Sequence, residues 1–356
     1  MNESQYIMKI ALIRREYITH LDGVNRFIAF LAEGLKRLGH NVEIFSWCYR
    51  GVERERLEEW FREVHGLDIA VPIHTLHKDP CEGDPWARIA FDWLFKGSRI
   101  LKNKDFDAVI VNGVIPLRFK PKVAVNHGIT LKVSRFYLFT VKDFYKRYDK
   151  VVCVSHRLRG EVRNVLGIDC EVIPLPMKLE LYRPRAFNER EDIVVHIGTR
   201  PVKNAHISVE AIKMLRKRGY NIKLIVIGAP SELPKDDSVE YRYGLTENEK
   251  NDLLCRAKAL TLPSSYESFS YVVLEGMACG TPVVVSKAVP EEVLINGFNG
   301  IRVNSFNPED YANALEKLLR DDELWLKLSR NGLEFVKQFD YIEIAMKYAN
   351  LISELL

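Results

Sequence analysis

The sequence of 356 residues contains no uninterrupted apolar stretch of eighteen residues or more. A helix needs about 20 such residues to cross a bilayer, so we expect no transmembrane helix. Residues 1–6 are polar and run directly into a predicted strand, which is not typical of a secretory signal peptide. These two absences together favour a cytoplasmic protein.

The six cysteines are scattered along the chain, and no two of them form a Cys-x-x-Cys pair. This scatter argues against a zinc knuckle and against a framework of disulfide bonds. We therefore expect reduced thiols, as is usual in a cytoplasmic compartment.

The sequence also lacks a strong excess of either charge, since its formal net charge is only +4. That value is too small to indicate nucleic-acid binding, although it is compatible with anionic ligands or an anionic membrane surface. Glutamine is nearly absent, with two residues, while Lys, Arg and Glu are plentiful. Such a composition is found in thermophilic proteins.

Short β-rich apolar runs alternate with amphipathic segments from end to end. Strands are predicted at 8–13, 42–47, 108–111, 122–126, 151–155 and 171–174, and again at 193–197, 223–227, 259–263, 282–286 and 300–303. Helical spacing of apolar residues marks 26–38, 205–218 and 310–319. Alternation of this kind is typical of parallel sheets with helices on both faces.

The segment 175–192 contains two prolines and mixed charges without periodicity, which indicates a linker. We therefore expect two doubly wound, Rossmann-like α/β domains, residues 1–187 and 188–338, whose strand ends face a cleft.

Two glutamates, Glu267 and Glu275, bracket the turn between a predicted strand and the next helix. The helix is expected to begin near residue 268 or 270, with a serine cap. Such a cap would leave outward-facing backbone N–H groups on Phe269, Ser270, Tyr271 and Val272. A helix start of this kind suits a diphosphate, while Glu275 suits a ribose diol and Glu267 suits sugar hydroxyls. The simpler interpretation of the two glutamates is a pair of solvated surface carboxylates.

Arg200 and Lys203 lie between a predicted strand and a predicted helix. Fixed positive charge at this point would neutralise a departing diphosphate without a metal ion. The alternative interpretation is two solvated charges in a surface loop.

Three further positions at strand ends are candidates. Gly23, in the first strand-to-helix turn, would allow close backbone approach of a phosphate, or is an ordinary turn glycine. His127 follows the strand 122–126, where it could hydrogen-bond a sugar, although a lone histidine is more often structural. Gly244 and Leu245 follow a further expected strand and would line a nucleotide base, or form a plain turn.

The motifs in this order resemble the retaining glycosyltransferases of family 4, which have the GT-B fold. The resemblance lies in Glu267, seven residues, Glu275 and the following Ala-Cys-Gly-Thr-Pro-Val sequence. It extends to the first turn and helix with a Gly-His-x-Val strand (22–44), to the His-Ile-Gly-Thr-Arg-Pro-Val-Lys-Asn stretch (196–204), and to the late glycine-rich stretch (296–303). Nearly the whole chain is covered.

The resemblance implies a transferase that moves a sugar from a UDP-, GDP- or ADP-sugar to a glycan or a lipid-linked acceptor, with retention of configuration. It implies that no metal or other cofactor is needed and that catalysis proceeds by internal return, without a side-chain nucleophile. Residues 188–338 would bind the donor and 1–187 the acceptor, with a terminal helix at 339–356 crossing back to the first domain. Catalytic roles are implied for Glu267, Arg200, Lys203 and His127.

The chain departs from the family pattern at two parts of this expected site. Asp22-Gly23 stands where the family usually has two glycines, and Ser268-Phe269-Ser270 stands where it often has Gly-Phe-Gly. Small residues persist in the second case, so backbone access to the sugar would survive.

The segment 131–150 interleaves basic and aromatic residues. It is either an amphipathic helix with an aromatic core face, which is the simpler interpretation, or a peripheral contact with anionic lipid on the inner face of a membrane.

Three other functions stay open at this point. A nicotinamide-dependent oxidoreductase is disfavoured because residues 21–25 hold one glycine instead of Gly-x-Gly-x-x-Gly. A sugar-nucleotide epimerase would share the same architecture. A binding protein without catalysis would share the site but show no turnover.

Overall fold

Two parallel β-sheets organise the chain in this computed structural model, which describes residues 6–83, 86–128, 135–229 and 236–356, and only the backbone of 135–138. The chain divides into two compact units, one of Met1–Pro176 with Phe339–Leu356 and one of Met177–Gln338. The unit boundary at Pro176 precedes the expected domain end at residue 187. The expectation of two Rossmann-like domains with parallel sheets is confirmed.

The first unit contains a seven-stranded sheet in the order β3-β2-β1-β4-β5-β6-β7, with every described pairing parallel. Its elements in chain order are β1 (Lys9–Tyr17), α1 (Gly23–Arg37), β2 (Asn41–Cys48), α2 (Leu57–His65), β3 (Ile73–Thr75), α3 (Trp86–Asp92), α4 (Ser98–Asn103), β4 (Ala108–Asn112), β5 (Lys122–Asn126), α5 (Arg135–Tyr145), β6 (Lys150–Cys153), α6 (His156–Leu166) and β7 (Glu171–Val172). Strands β4 and β5 are buried along their whole length and are apolar except at their ends, as is typical of strands inside a parallel sheet.

The second unit contains a six-stranded parallel sheet in the order β10-β9-β8-β11-β12-β13. Its elements are β8 (Glu191–Ile197), α7 (Ala205–Lys217), β9 (Lys223–Ile227), β10 (Val239–Arg242), α8 (Glu247–Arg256), β11 (Ala257–Leu262), α9 (Tyr271–Ala278), β12 (Val283–Ser286), β13 (Ile301–Val303), α10 (Pro308–Arg320) and α11 (Asp322–Val336). Strand order reverses between β8 and β11, because the chain builds outward from β8 on one side and then returns to β11 on the other. That reversal creates the switch point at which open α/β sheets bind ligands.

The final helix, α12 (Tyr341–Ser353), packs against α1 in the first unit. The two helices approach closely at Gly34, where an added Cβ would lie 2.6 Å from the backbone oxygen of Tyr341 and 2.7 Å from Cβ of Ala345. Further along the contact, the rings of Phe27 and Tyr348 meet edge to face at 5.8 Å. Only glycine at position 34 allows this separation.

The predicted strands are all present, whereas β3 was not predicted. It has three residues and forms an edge of the first sheet, so its sequence carries too few positions to establish a period.

The expectation of reduced thiols is wrong for this structure. All six cysteines are paired, in disulfides that join Cys48 to Cys81, Cys153 to Cys170, and Cys255 to Cys279. The partners are separated by 33, 17 and 24 residues in sequence, while their Cα atoms lie 6.1, 5.7 and 4.6 Å apart. Absence of a Cys-x-x-Cys motif says nothing about pairs that the fold brings together over such distances.

In the described part of the chain, no helix is long and apolar enough to cross a membrane. Of the basic and aromatic segment 131–150, residues 131–134 lie outside the described residues. The remainder forms α5 and the turn before β6, where Phe139 is exposed and Phe144 is half-buried.

Candidate functional site

The loops that follow β8 and β11 lie side by side at the switch point of the second sheet. They are joined by a hydrogen bond from Ser265 N–H to the Val202 carbonyl at 2.8 Å. A second bond runs from the Asn204 side-chain amide to the Pro263 carbonyl at 2.9 Å. The carboxyl ends of adjacent parallel strands thus hold the candidate residues of the two loops together.

Lys203 and Glu267 form a buried ion pair between these loops. Lys203 Nζ lies 2.6 Å from Glu267 Oε1, and the two side chains are only 11% and 8% exposed. Each charge stabilises the other, because a single buried charge without a partner would destabilise the fold by its full desolvation cost. The pair leaves a fixed ammonium and a fixed carboxylate at the switch point.

Arg200 is the second predicted cation of the β8 loop. It is exposed, and it has no ion-pair partner among the described residues. It stands three residues before Lys203, at the start of a short 3₁₀ turn that runs Pro201–Lys203. The loop therefore carries one cation that is already paired with a carboxylate and one that faces solvent.

Two glycines allow the close packing of this loop. Gly198 has a φ of +106°, and a Cβ there would lie 2.9 Å from Cγ of Lys203. A Cβ at Gly228 would lie 2.9 Å from the side chain of Thr199. The stem of Lys203 is thus held against backbone that has no side chain.

His196, at the end of β8, supports the same loop. One ring nitrogen lies 2.8 Å from the Ser208 hydroxyl and the other lies 2.9 Å from the Gly198 carbonyl. Burial lowers the pKa of His196 to about 4, and the nearby Lys203 charge acts in the same direction. The ring is therefore neutral near pH 7 and donates from Nε2 to the Gly198 carbonyl.

The start of α9 differs from the expected capped helix. The helix begins at Tyr271, and Ser270 occupies the N-cap position without a capping hydrogen bond from its side chain. Ser270 has a φ of +111°, a conformation that L-residues rarely adopt and glycine adopts easily. The physical reason for the wrong prediction is this backbone geometry, because it turns the serine away from the N–H groups that a cap must reach. Phe269 and Tyr271 are buried, while Val272 is partly exposed.

Glu275 is fully buried in α9 and is also ion-paired. Lys250 of α8 places its Nζ 2.8 Å from Glu275 Oε1 and 2.7 Å from Glu247 Oε2. The interpretation of Glu275 as a solvated surface carboxylate is excluded by this burial. Sequence reasoning missed Lys250, whose only signal is a basic residue beside the buried face of an amphipathic helix.

The Cys279-Gly280-Thr281 turn after α9 is held by the buried Arg190. Its guanidinium donates to the carbonyls of Cys279 at 2.8 Å and Gly280 at 3.1 Å, and to the Thr281 hydroxyl at 2.6 Å. Burial lowers the pKa of Arg190 to about 10, which leaves it charged at neutral pH. Arg190 is a second residue that sequence reasoning missed, and it fixes the exit of α9 toward β12.

Gly244 and Leu245 follow β10, which is an edge strand of the second sheet. Gly244 is exposed with a φ of +72°, and Leu245 is half-buried. No described contact joins either residue to Lys203, Glu267 or Glu275. They precede α8, which carries Lys250 and Glu247 of the ion pair with Glu275.

His127 lies in the first unit, at the end of β5. Its Nε2 is 2.8 Å from Oδ1 of Asn112, the last residue of β4, and its ring meets Phe27 edge to face at 4.8 Å. Burial lowers the pKa of His127 to about 3, with a further contribution from the positive charge of Arg14. His127 is therefore a neutral hydrogen-bonding group at pH 7 and not a cation.

Gly23 is the first residue of α1 and is exposed. The preceding Asp22 caps the helix by accepting from Asn25 N–H at 2.9 Å, and it pairs with Arg14 at 2.8 Å. The aspartate that replaces a family glycine thus already supplies an anion to this helix start.

The structure brings together Lys203 and Glu267 across two loops of the second unit, with Arg200 on the same loop as Lys203 and Glu275 on the following helix. Gly23 and His127 belong to the first unit. Within the described residues, no group of three or more His, Cys, Asp and Glu side chains could hold a metal ion.

Comparison with protein families gives two matches that together span residues 21–335. Residues 21–181 match the model described as Glycosyltransferase Family 4. Residues 178–335 match the model described as Glycosyl transferases group 1. The junction between the matches coincides with the boundary between the two units.

Similar proteins are found among curated sequences. An uncharacterized glycosyltransferase of Methanocaldococcus jannaschii is 26% identical, with 73% of this chain and 78% of the relative covered. The MMP alpha-(1->4)-mannosyltransferase of Mycolicibacterium hassiacum is also 26% identical, with 91% of this chain and 92% of the relative covered.

Among solved structures, Anabaena HepE in complex with UDP and glucose aligns over 98% of this chain and 100% of its own, with a TM-score of 0.77 and 17% identity. Sucrose-phosphate synthase of Thermosynechococcus elongatus aligns over 98% of this chain and 99% of its own, with a TM-score of 0.78 and 19% identity. At these identities the two likenesses establish the fold alone. With both family matches and this fold, the chain belongs to the group 1, family 4 glycosyltransferases of the GT-B type.

Proposed function

We propose that the protein transfers a hexosyl group from a nucleotide-sugar to a glycan or lipid-linked acceptor, with retention of anomeric configuration and without a metal ion. The observation that carries this proposal is the Lys203–Glu267 ion pair at the switch point of the second sheet, with the exposed Arg200 on the same loop as Lys203. Such a pair offers fixed positive charge to a diphosphate and a fixed acceptor to sugar hydroxyls.

The cations of the β8 loop suit the departing nucleoside diphosphate. As the bond between the anomeric carbon and the β-phosphate oxygen breaks, negative charge collects on that oxygen. Arg200 and Lys203 stabilise this charge in the proposed reaction. Removing one such donor in other enzymes costs about 10²–10³ in turnover, which sets the scale for variants here.

The two glutamates have different tasks in the proposed reaction. Glu267, fixed by Lys203, accepts hydrogen bonds from hydroxyls of the donor sugar. Glu275 accepts from the ribose, and Lys250 Nζ, 2.8 Å away, fixes the position of the carboxylate. His127, neutral at pH 7, hydrogen-bonds the sugar without adding charge.

The transfer step balances without a base from the protein. The acceptor oxygen attacks the face of the anomeric carbon from which the diphosphate leaves, and a new carbon–oxygen bond forms there. The acceptor proton passes to the departing phosphate oxygen. Configuration is therefore retained, and no covalent sugar–enzyme intermediate forms.

The nucleotide and the sugar are proposed from relatives. One relative is named as a mannosyltransferase, and a structural neighbour is described with UDP and glucose. A UDP- or GDP-hexose is therefore the first choice of donor, with an ADP-hexose as the remaining candidate.

Calorimetry with UDP-, GDP- and ADP-hexoses tests the proposal. One donor should bind to the purified protein, and Arg200→Ala and Glu267→Gln should each weaken binding or turnover by about 10²-fold or more. Lys327→Ala, which removes an exposed charge elsewhere in the second unit, is the matched control and should change neither.

Product analysis separates the alternatives. NMR of the product should show the anomeric configuration of the donor, and addition of EDTA should leave the rate unchanged. Inversion, loss of activity in EDTA, or an epimerised donor in the absence of acceptor would each contradict a part of the proposal. Absence of binding by every donor would overturn it.

A further inference from the structure

The first unit contains a large cavity, and none of its lining residues has a role in the proposed reaction. Its volume is about 1050 Å³, and it lies between α3, the β4–β5 connection and the end of α5. The size is comparable to pockets that enclose a small organic molecule. Its apolar walls include Trp86, Phe91, Leu94, Phe119 and Phe144.

The same cavity is surrounded by cations. Four of them are exposed, namely Arg118, Lys120, Lys146 and Arg147. The fifth, Lys122, is buried and donates to the Leu117 carbonyl at 2.5 Å, so it stabilises the connection itself. The rim is therefore positive while the walls are apolar.

Among the residues that the structure describes, carboxylates compensate two of the rim charges. Asp143 lies 2.5 Å from Arg147, and Asp149 lies 3.2 Å from Lys120. Within the described residues, Lys146 and Arg118 have no carboxylate partner. An anion at the rim would therefore meet two uncompensated cations.

The apolar walls favour a hydrocarbon over a sugar as the occupant of the interior. None of the described residues that line the cavity carries a carboxylate, an amide or an aliphatic hydroxyl. Against the apolar walls formed by Ala90, Leu94 and Phe119, sugar hydroxyls would lose their hydrogen bonds to water without replacement. A hydrocarbon chain would lose nothing, because about 0.8 kcal/mol is gained for each CH₂ group that leaves water.

Exposed aromatic rings continue the apolar surface outward. Phe91 is 63% exposed and Phe95 is 48% exposed, with their ring centroids 4.6 Å apart. Arg118 lies over the Phe95 ring at 5.5 Å. Apolar surface and unpaired positive charge thus occur side by side at the cavity entrance.

We propose that this cavity binds a phosphorylated lipid chain, with the hydrocarbon in the apolar interior and the phosphate beside Lys146 and Arg118. The site is separate from the donor residues of the second unit, so it stands independently of the proposed reaction. Charge complementarity selects the phosphate end, and the apolar walls of Ala90, Leu94, Ile115 and Phe119 select the hydrocarbon.

Calorimetry with farnesyl phosphate, below the concentration at which it forms micelles, tests the proposal. One molecule should bind per chain, farnesol should bind about tenfold more weakly, and inorganic phosphate should not bind measurably, because charge and chain both contribute. Lys146→Glu should weaken farnesyl phosphate about tenfold by charge reversal. Lys102→Glu makes the same charge change at an exposed residue outside the cavity and is the matched control.

A second variant tests the interior without altering charge. Ala90 lines the cavity, so Ala90→Trp should fill part of it and weaken the binding of farnesyl phosphate by about tenfold or more. Leu94→Trp serves the same purpose if Ala90→Trp has a lowered melting temperature.

Three outcomes would overturn the proposal. Farnesyl phosphate fails to bind, or it binds the cavity-filling variants as tightly as the unchanged protein, or it binds no better than farnesol. Flotation with phosphatidylglycerol vesicles distinguishes binding of a single lipid in the cavity from binding of the protein to a bilayer surface. Binding to vesicles that depends on Lys146 but is insensitive to Ala90→Trp would assign the cations to a bilayer surface instead of a single enclosed chain.

Discussion

Lys203 and Glu267 are 64 residues apart in sequence, yet each belongs to a loop that leaves one of two neighbouring strands. Their proximity could be predicted, because adjacent parallel strands deliver their following loops to the same edge of a sheet. The ion pair between Glu275 and Lys250 could not be predicted, because it depends on how α8 packs against α9. The positions of strands are encoded in hydrophobic patterns along the chain, whereas helix packing is decided by side-chain shapes.

A double-mutant cycle at Lys203 and Glu267 measures their coupling. Lys203→Ala should lower the free energy of unfolding by about 3 kcal/mol, because it leaves a buried carboxylate without its counterion. Adding Glu267→Ala should recover at least about 1 kcal/mol of this loss. Urea denaturation of the four proteins gives the values. Additive losses would mean that the pair is not coupled.

Ser270→Gly should stabilise the protein by roughly 1 kcal/mol. Relief of the positive φ at this residue outweighs the greater freedom of glycine in the unfolded chain. Ser270→Ala keeps the unfavourable φ and removes only the hydroxyl, so it serves as the control and should give no comparable gain. Midpoints of urea unfolding provide the comparison, and a lowered midpoint for Ser270→Gly would contradict the assignment of strain.

At the scale of elements, the conformation of the site depends more on the first residues after a strand than on the helix that follows. The β8 loop is shaped by Gly198, His196 and Asn204, each of which has a backbone or hydrogen-bonding task. A histidine within a strand pattern looks like any other core residue in the sequence, so its role in supporting the loop could not be predicted. Alternation of strands and helices was predictable because it is periodic, while loop conformation is not.

The free energy of unfolding should fall as the pH is lowered from about 6.5 to about 4. In this interval His196 is protonated in the unfolded chain but stays neutral in the folded protein. The folded pKa of about 4 lies below the unfolded value, so the unfolded state binds more protons in this interval and gains free energy. Over the full interval, His196 contributes about 3 kcal/mol, and His127 acts in the same direction.

Unfolding free energies from pH 7.5 to pH 4.5 check this expectation. His196→Asn should show a shallower decline than the unchanged protein. His206→Asn, at an exposed histidine in the same unit, should decline in parallel with it. Identical slopes for all three proteins would show that His196 does not titrate as described.

At the scale of the whole molecule, both the number of domains and the family were accessible from the sequence, because the motifs occur in a fixed order over most of the chain. The pairing of cysteines was not accessible. In each pair one cysteine belongs to a strand or helix and the other lies outside the regular elements, and their distance is set by the finished fold. Sequence spacing constrains a disulfide only weakly.

Thiol titration in denaturant tests the three disulfides. Without a reductant, we expect no reactive thiol in the protein, and after reduction we expect six. Reduction should also lower the melting temperature, since a loop of comparable length closed by a disulfide contributes about 3 kcal/mol. Six reactive thiols in protein that was never exposed to reductant would contradict the pairing.

The position of α12 has a consequence for synthesis on the ribosome. The helix completes the first unit, yet it is translated after all of residues 177–338. At about 5–20 residues per second, the nascent first unit waits roughly 10–30 s with the α1 surface around Gly34 uncovered. The second unit, encoded as one uninterrupted stretch, acquires all of its own residues before the first does. The part of the chain that is made earliest is thus the last to be completed.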